Sequence, residues 1–171
     1  MTIFREEADQ QMFLRMLELI VEEFSLRLHA FVLMLNHYHL LITATDVDQM
    51  ADSMRALAWR YAHHFNRKYE RAGTLWESRY YSKAVDTEEY LLRCLRYIEQ
   101  NPVRANVVST PDQYRWSSYR CHGEEQRIEF LTPHAVYLAL GSSSAERAAA
   151  YRAICGTNLT DEELLSLRVA K

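Results

Sequence analysis

Between Glu7 and Phe24 the apolar residues Phe13, Leu17, Ile20 and Phe24 recur at spacings of four, three and four, the period of one helix face. Leu26–Met34 is then almost continuously apolar, as expected of a strand buried on both faces. Leu35–Asn36 predicts a tight turn, since Asn tolerates left-handed dihedrals, and His37–Thr43 a returning strand. Met50, Met54, Leu57, Tyr61 and Phe65 mark the buried stripe of a long helix reaching about Arg71, with Thr45 or Asp46 as its cap. No glycine or proline interrupts the chain before Gly73.

Beyond Gly73 the pattern changes. Trp76–Val85 is polar and aromatic and predicts a short strand at Tyr80–Val85. Asp86-Thr87-Glu88-Glu89 is a helix-start signature with Asp86 as cap. That helix is expected to end near Asn101, because Pro102 disfavours helical dihedrals at the residue before it. Pro111–Arg120 reads as an aromatic loop, followed by short helices around Pro133–Leu140, Ala145–Ile154 and Asp161–Val169. The order of helix, strand, strand, helix, strand, helix and helical tail implies an α+β fold.

Composition adds limits. With 171 residues, 49% hydrophobic and 25% charged, the chain fits one ordinary globular domain with a small appendage. No apolar run is long enough to predict a membrane span, and the acidic start MTIFREEADQQ does not read as a secretory signal. Cys94, Cys121 and Cys155 are odd in number and scattered; they read as reduced thiols, and the expected location is the cytoplasm.

The formal net charge of −3 at first argues against a nucleic-acid partner, but the charge is segregated. Residues 1–54 carry a net −6, residues 55–120 a net +5 and residues 121–171 a net −2. The basic middle also holds Trp59, Tyr61, Trp76, Tyr80, Tyr81, Tyr114, Trp116 and Tyr119. Cations neutralise phosphates and rings stack on unpaired bases. Such segregation is more often a solvated helix face over core aromatics.

Two small constellations could carry chemistry. His37 and His39 alternate along a strand and so project on one side, roughly 6–7 Å apart. Two imidazoles can share a divalent cation in an open site, though they are too few for a closed structural zinc site. In isolation His-x-His more often marks histidines packed at a sheet surface. Tyr97 and Asn101 lie at i and i+4 on the third predicted helix, hence on one face, away from the apolar stripe Leu91, Leu95 and Ile98. A phenol can attack a phosphate polarised by a metal, yet a tyrosine bridging core and solvent is the commoner case. No Gly-rich phosphate loop exists. A metal phosphodiesterase with two His-x-Ser/Thr motifs is a poor third reading, because Leu40-Leu41 follows His39 and no second motif occurs.

Taken together, the elements resemble one family. Leu28-His-Ala-Phe-Val-Leu-Met-Leu-Asn-His-Tyr-His-Leu-Leu-Ile42 is similar to the strand pair bearing the paired histidines of single-tyrosine HUH transposases, more narrowly the IS200-like and REP-associated tyrosine transposases. Gly73-Thr-Leu-Trp-Glu-Ser-Arg79 resembles their loop after the long helix. Tyr90-Leu-Leu-Arg-Cys-Leu-Arg-Tyr-Ile-Glu-Gln-Asn-Pro-Val-Arg-Ala105 resembles their catalytic helix, and Trp116-Ser-Ser-Tyr119 a further signature. The resemblance implies a ferredoxin-like antiparallel sheet with packed helices over residues 1–120 and a helical C-terminal extension over residues 121–171. It implies His37, His39 and Asn101 as ligands of Mg²⁺ or Mn²⁺ and Tyr97 as the nucleophile. The implied activity is cleavage and rejoining of single-stranded DNA, usually beside a hairpin, through a 5′-phosphotyrosine. By position, Arg79, Arg93, Arg96 and Arg104 are expected to bind DNA phosphate. Monomer and homodimer stay equally open.

Two departures stand out. The family begins with a central strand before the first helix, whereas only Met1–Phe4 precede it here. That predicts an open edge on the histidine strand, and leaves a misplaced coding start or a decayed copy as explanations. It also motivates the alternative of a catalytically impaired, truncated or domesticated relative that binds DNA hairpins without cutting them. The second departure is Leu35, where many relatives have proline; it leaves the ligands untouched.

Overall fold

A computed structural model describes residues 1–157 and 159–167. Its framework is helix α1 (Glu7–Glu23), strands β1 (Arg27–Met34) and β2 (His37–Thr43), and the long helix α2 (Val47–Lys68). Then come α3 (Glu88–Glu99), the single turn α4 (Asn101–Arg104) and a 3-10 turn at Pro111–Gln113. The tail is α5 (Tyr119–Gly123), α6 (Ala135–Leu138), α7 (Ser144–Cys155) and α8 (Asp161–Leu167). The expected α+β architecture is present, with helices packed on an antiparallel pair. The last two residues of the expected helix Asp161–Val169 lie outside the described residues.

The first half forms as its periodicity dictates. Phe13, Leu17 and Ile20 are fully buried on α1, which stops where Ser25 adopts φ 49° and Leu26 N–H donates to the Val21 carbonyl at 2.9 Å, a Schellman closure. Asp46 caps α2, its Oδ1 accepting from Gln49 N–H at 2.7 Å. Seven of the eight β1 residues are buried. The hairpin register sets Val32 opposite His39 and Met34 opposite His37. Asn36 does not take the left-handed conformation expected of it; its side chain is instead engaged with His37.

β1 is sealed along both edges. Its second edge is covered by irregular chain: Leu33 N–H donates to the Trp116 carbonyl at 2.9 Å, Ser118 N–H to the Phe31 carbonyl at 3.0 Å and Thr132 N–H to the Leu28 carbonyl at 2.7 Å. β2, in contrast, makes its ladder only with β1 among the described residues. The open edge expected on the histidine strand is therefore present.

The strand expected at Tyr80–Val85 does not form; this stretch has no ladder partner. A strand needs a neighbour: residues 116–118 and 131–132 cover the second edge of β1, and this stretch does not pair with the open edge of β2 either. Tyr80 and Tyr81 are also exposed, so no burial favours alternation. Leu75, buried, and the Trp76 Nε1–H bond to the Ala58 carbonyl (2.9 Å) pin the start of this segment to α2. The helix cap is corrected as well: Thr87, not Asp86, accepts from Tyr90 N–H at 3.2 Å. Pro102 sits in the first turn of α4 rather than simply ending α3, a position where its missing N–H costs nothing.

No helix of the described residues is long and apolar enough to cross a membrane. The three cysteines are unpaired, with Cys155 buried.

One polar cluster ties α1 to α2. Asp9 is fully buried and accepts from Lys68 Nζ (2.5 Å), Tyr69 OH (2.7 Å) and the amides of Arg5 (2.8 Å) and Glu6 (3.2 Å). Burial is the largest influence on its carboxyl and pushes the pKa up; the combined hydrogen bonds outweigh it and hold the group below its ordinary value. A depressed folded pKa stabilises above the unfolded value and is lost as pH falls through the folded one. Asp9→Asn is therefore expected to lower stability at pH 7 by about 1–3 kcal/mol, read as a lower urea midpoint. The difference from the parent protein should shrink as the pH is taken below the usual aspartate range.

Candidate active site

Two elements distant in sequence build this site. Alternation along β2 places His37 and His39 on one face, their rings edge to face with centroids 5.1 Å apart. Tyr38 points to the other face, against Phe13 at 4.8 Å and Trp76 at 5.9 Å, where burial pushes its phenol up to about 12. The turn residue Asn36 orients the first ring: His37 Nδ1–H donates to Asn36 Oδ1 at 2.7 Å. That fixes the tautomer and leaves the Nε2 lone pair free.

α3 covers the histidine face. Leu91, Leu95 and Ile98 are buried as its apolar stripe, and Tyr97, half-buried, places its ring 5.4 Å from that of His39. Asn101, 6% exposed, begins α4, with its side chain beside the His37 ring. The four residues singled out from sequence thus come together. Arg104 joins them from the end of α4: its guanidinium carbon stands 4.1 Å from the Tyr97 ring centroid and its Nη1–H donates to the Tyr97 carbonyl at 3.1 Å, a cation–π arrangement.

The other arginines are placed differently. Arg79 lies in the exposed segment after Leu75. Arg93 pairs with Glu89 and Glu163. Arg96 is buried and donates to the Thr157 carbonyl (2.8 Å) and hydroxyl (3.0 Å), with Glu163 at 3.6 Å. Both guanidiniums are thus engaged with α8 and the chain before it.

Electrostatics favour neutral imidazoles. Burial lowers the His37 pKa, and the neighbouring Asn101 side chain partly offsets this. Burial, then the charges of His37 and Arg104, take His39 down to about 4. Neutral rings keep a lone pair for a Lewis acid. Two imidazole nitrogens and a carboxamide oxygen could hold a divalent ion such as Mn²⁺, or Mg²⁺ if oxygen ligands supply the remaining positions. Among the described residues no group of three or more His, Cys, Asp or Glu surrounds a common point, so this donor set makes an open site rather than a closed cage.

A family model described as transposase IS200 like matches residues 1–101, a span holding His37, His39, Tyr97 and Asn101. The chain belongs to the IS200-like transposase family. Its activity is accordingly that of a transposase, and DNA is the partner such a protein binds. The match ends at Asn101, so the segment from Pro102 onward, with α5–α8, lies beyond it. No curated protein and no solved structure matches the chain.

Sequence reasoning overlooked the roles of Asn36 and of Arg104 on the Tyr97 ring. An amide immediately before the first histidine of a hairpin was the available signal for Asn36. Arg104 follows Tyr97 by seven residues, two helical turns, although the chain changes helix between them. In the metal-free transposase the His39 ring is expected to titrate near pH 4 rather than 6.5. A proton-NMR titration of the imidazole signals, assigned with His39→Gln, checks this.

Proposed function

We propose that this transposase cleaves and rejoins single-stranded DNA, beside hairpins, with Tyr97 as the nucleophile. The observation that carries the reading is the convergence of Tyr97 from α3 on the histidine pair of β2, its ring 5.4 Å from that of His39, which lies 5.1 Å from that of His37. The phenol oxygen attacks the scissile phosphorus and the P–O3′ bond breaks. The 5′-phosphate stays on Tyr97, the phenolic proton passes to water and the departing O3′ takes up a proton. The freed 3′-hydroxyl then reverses the step or a different 3′-hydroxyl attacks the phosphotyrosine, so the bond energy is conserved. When bound by His37, His39 and Asn101, Mg²⁺ or Mn²⁺ supplies Lewis-acid polarisation of the phosphate.

The residues divide the remaining work. Asn36 holds the His37 ring with one nitrogen toward the site. Arg104, exposed and lying over the Tyr97 ring, offers a guanidinium fork to the non-bridging phosphate oxygens. Arg79, in the exposed segment, contacts the DNA backbone further out, whereas Arg93 and Arg96 position α8.

A second reading, hairpin binding without cleavage, is favoured by the two-stranded sheet, in which β2 is paired on one edge only. One experiment separates them. End-labelled hairpin DNA with a single-stranded flank is incubated with the protein and Mn²⁺, then run on a denaturing gel. A covalent adduct that disappears in Tyr97→Phe is expected, with Arg104→Ala slowing its formation about 10-fold or more, in line with loss of a charge-stabilising donor. An adduct persisting in Tyr97→Phe refutes the nucleophile; retention of the hairpin on a native gel with no adduct supports the second reading.

A further inference from the structure

Glu99 lies on the apolar side of α3, four residues after Leu95, and is fully buried. Three donors converge on its carboxylate, two from α5 and its N-cap and one from α7. Ser118 Oγ–H donates to Oε1, as does His122 Nδ1–H at 2.7 Å, and Tyr151 OH donates to Oε2 at 2.6 Å. Ser118 also accepts from Phe31 N–H at 3.0 Å. Phe31 is the β1 residue paired with Leu40, the neighbour of His39. A short chain of directed contacts therefore runs from the helix of Tyr97 to the strand of His37 and His39.

A buried carboxylate is a costly way to hold a helix, since apolar side chains of similar volume give equal or greater stability. Its distinguishing property is direction. The stripe Leu91, Leu95 and Ile98 determines which face of α3 is buried, but apolar contact is non-directional and tolerates a slide or a turn of the helix. Three hydrogen bonds to one carboxylate do not. Glu99 lies between Tyr97 and Asn101, so the rotation it holds is the one that aims both side chains at the histidines. The adjacent Gln100 repeats the attachment, its Nε2–H donating to the Cys155 carbonyl at the end of α7. The His122 ring is enclosed by Tyr137 at 4.6 Å and Tyr151 at 5.4 Å, and its Nε2 has no partner. The imidazole is thus committed to Glu99 through Nδ1 alone.

We infer that Glu99 is a positioning residue. Through Ser118, His122 and Tyr151 it locks the rotation and axial register of α3 against the sheet, which makes α5 and α7 part of the active-site scaffold. The inference rests on the proposed role of Tyr97, and its test can fail separately. In the full-length protein, Glu99→Gln keeps the shape but replaces one acceptor oxygen with a donor. Tyr151→Phe removes a single donor and serves if the first variant does not fold. Hydrogen exchange is measured on the amides of Leu95–Asn101, and adduct formation on the labelled hairpin with Mn²⁺ is measured as a function of DNA concentration.

The expected result is about 10-fold or greater acceleration of exchange over Leu95–Asn101, with α1 and α2 unchanged. The adduct rate at saturating DNA should fall about 10- to 100-fold, the scale of a reacting group displaced by about an ångström, while the half-saturating DNA concentration stays within about twofold. Accelerated exchange confined to α5 and α7, or an unchanged adduct rate, overturns the inference. If the parent protein forms no adduct, the strand-transfer reading fails on its own terms, and the exchange pattern alone decides whether Glu99 locks α3.

Discussion

The backbone of β1 is buried, and every part of the fold answers to the need to satisfy it along both edges. An unpaired buried amide or carbonyl costs on the order of 1–3 kcal/mol, so a strand in this position cannot leave an edge bare. β2 supplies one edge as a regular ladder. Irregular chain from 116–118 and 131–132 supplies the other, with the Tyr114 hydroxyl adding a bond to the Leu33 carbonyl at 2.6 Å. These bonds join residues more than eighty positions apart and bring the tail onto the same framework as the hairpin. With β1 held from both sides, its pair β2 presents two distinct faces. The Tyr38 face is filled by Phe13 of α1 and Trp76 from the segment after α2, and the histidine face is left for α3.

The chemistry of the site follows from that covering. Histidines at an open sheet surface would titrate near their usual value; under α3 and beside Arg104, His39 falls to about 4. Desolvation therefore keeps both rings neutral, able to donate a lone pair. The same helix brings the Tyr97 phenol into edge contact with His39, and α4, which follows it directly, brings the Asn101 amide to His37. Arg104 is available for this site because Pro102 begins a fresh turn, carrying the chain back over the Tyr97 ring.

The legible parts of the sequence were those whose signal is periodic and local. The stripes of α1 and α2, the largely apolar β1 and the alternation of β2 all appear close to their expected bounds. Tyr97 and Asn101 sit near the same histidine pair, but from α3 and α4 rather than from one helix face. The absence of the strand expected at Tyr80–Val85 was not legible, because a strand depends on a partner elsewhere in the chain and this stretch pairs with neither β1 nor β2. Arg93 and Arg96 looked like phosphate contacts on the strength of charge and position, yet Glu163 and Thr157 in the tail engage them. Glu99 carried a readable sign, a carboxylate within an apolar stripe, but its three partners come from segments that no local pattern connects to it.

Covalent geometry was enough to put His37 and His39 on one side of a strand and to expect Tyr97 and Asn101 on one side of a helix, because side-chain direction repeats every two or about 3.6 residues wherever those elements form. It was also enough to segregate the +5 middle of the chain from its acidic ends. It could not say that these two faces would meet, how deeply the imidazoles would be buried, or which arginine would lie on the phenol. Those outcomes depend on which distant segments compete for the edge of β1 and the faces of the hairpin. That competition is resolved by the packing and hydrogen bonding of the whole chain, where the energy of each contact depends on what else has already been buried.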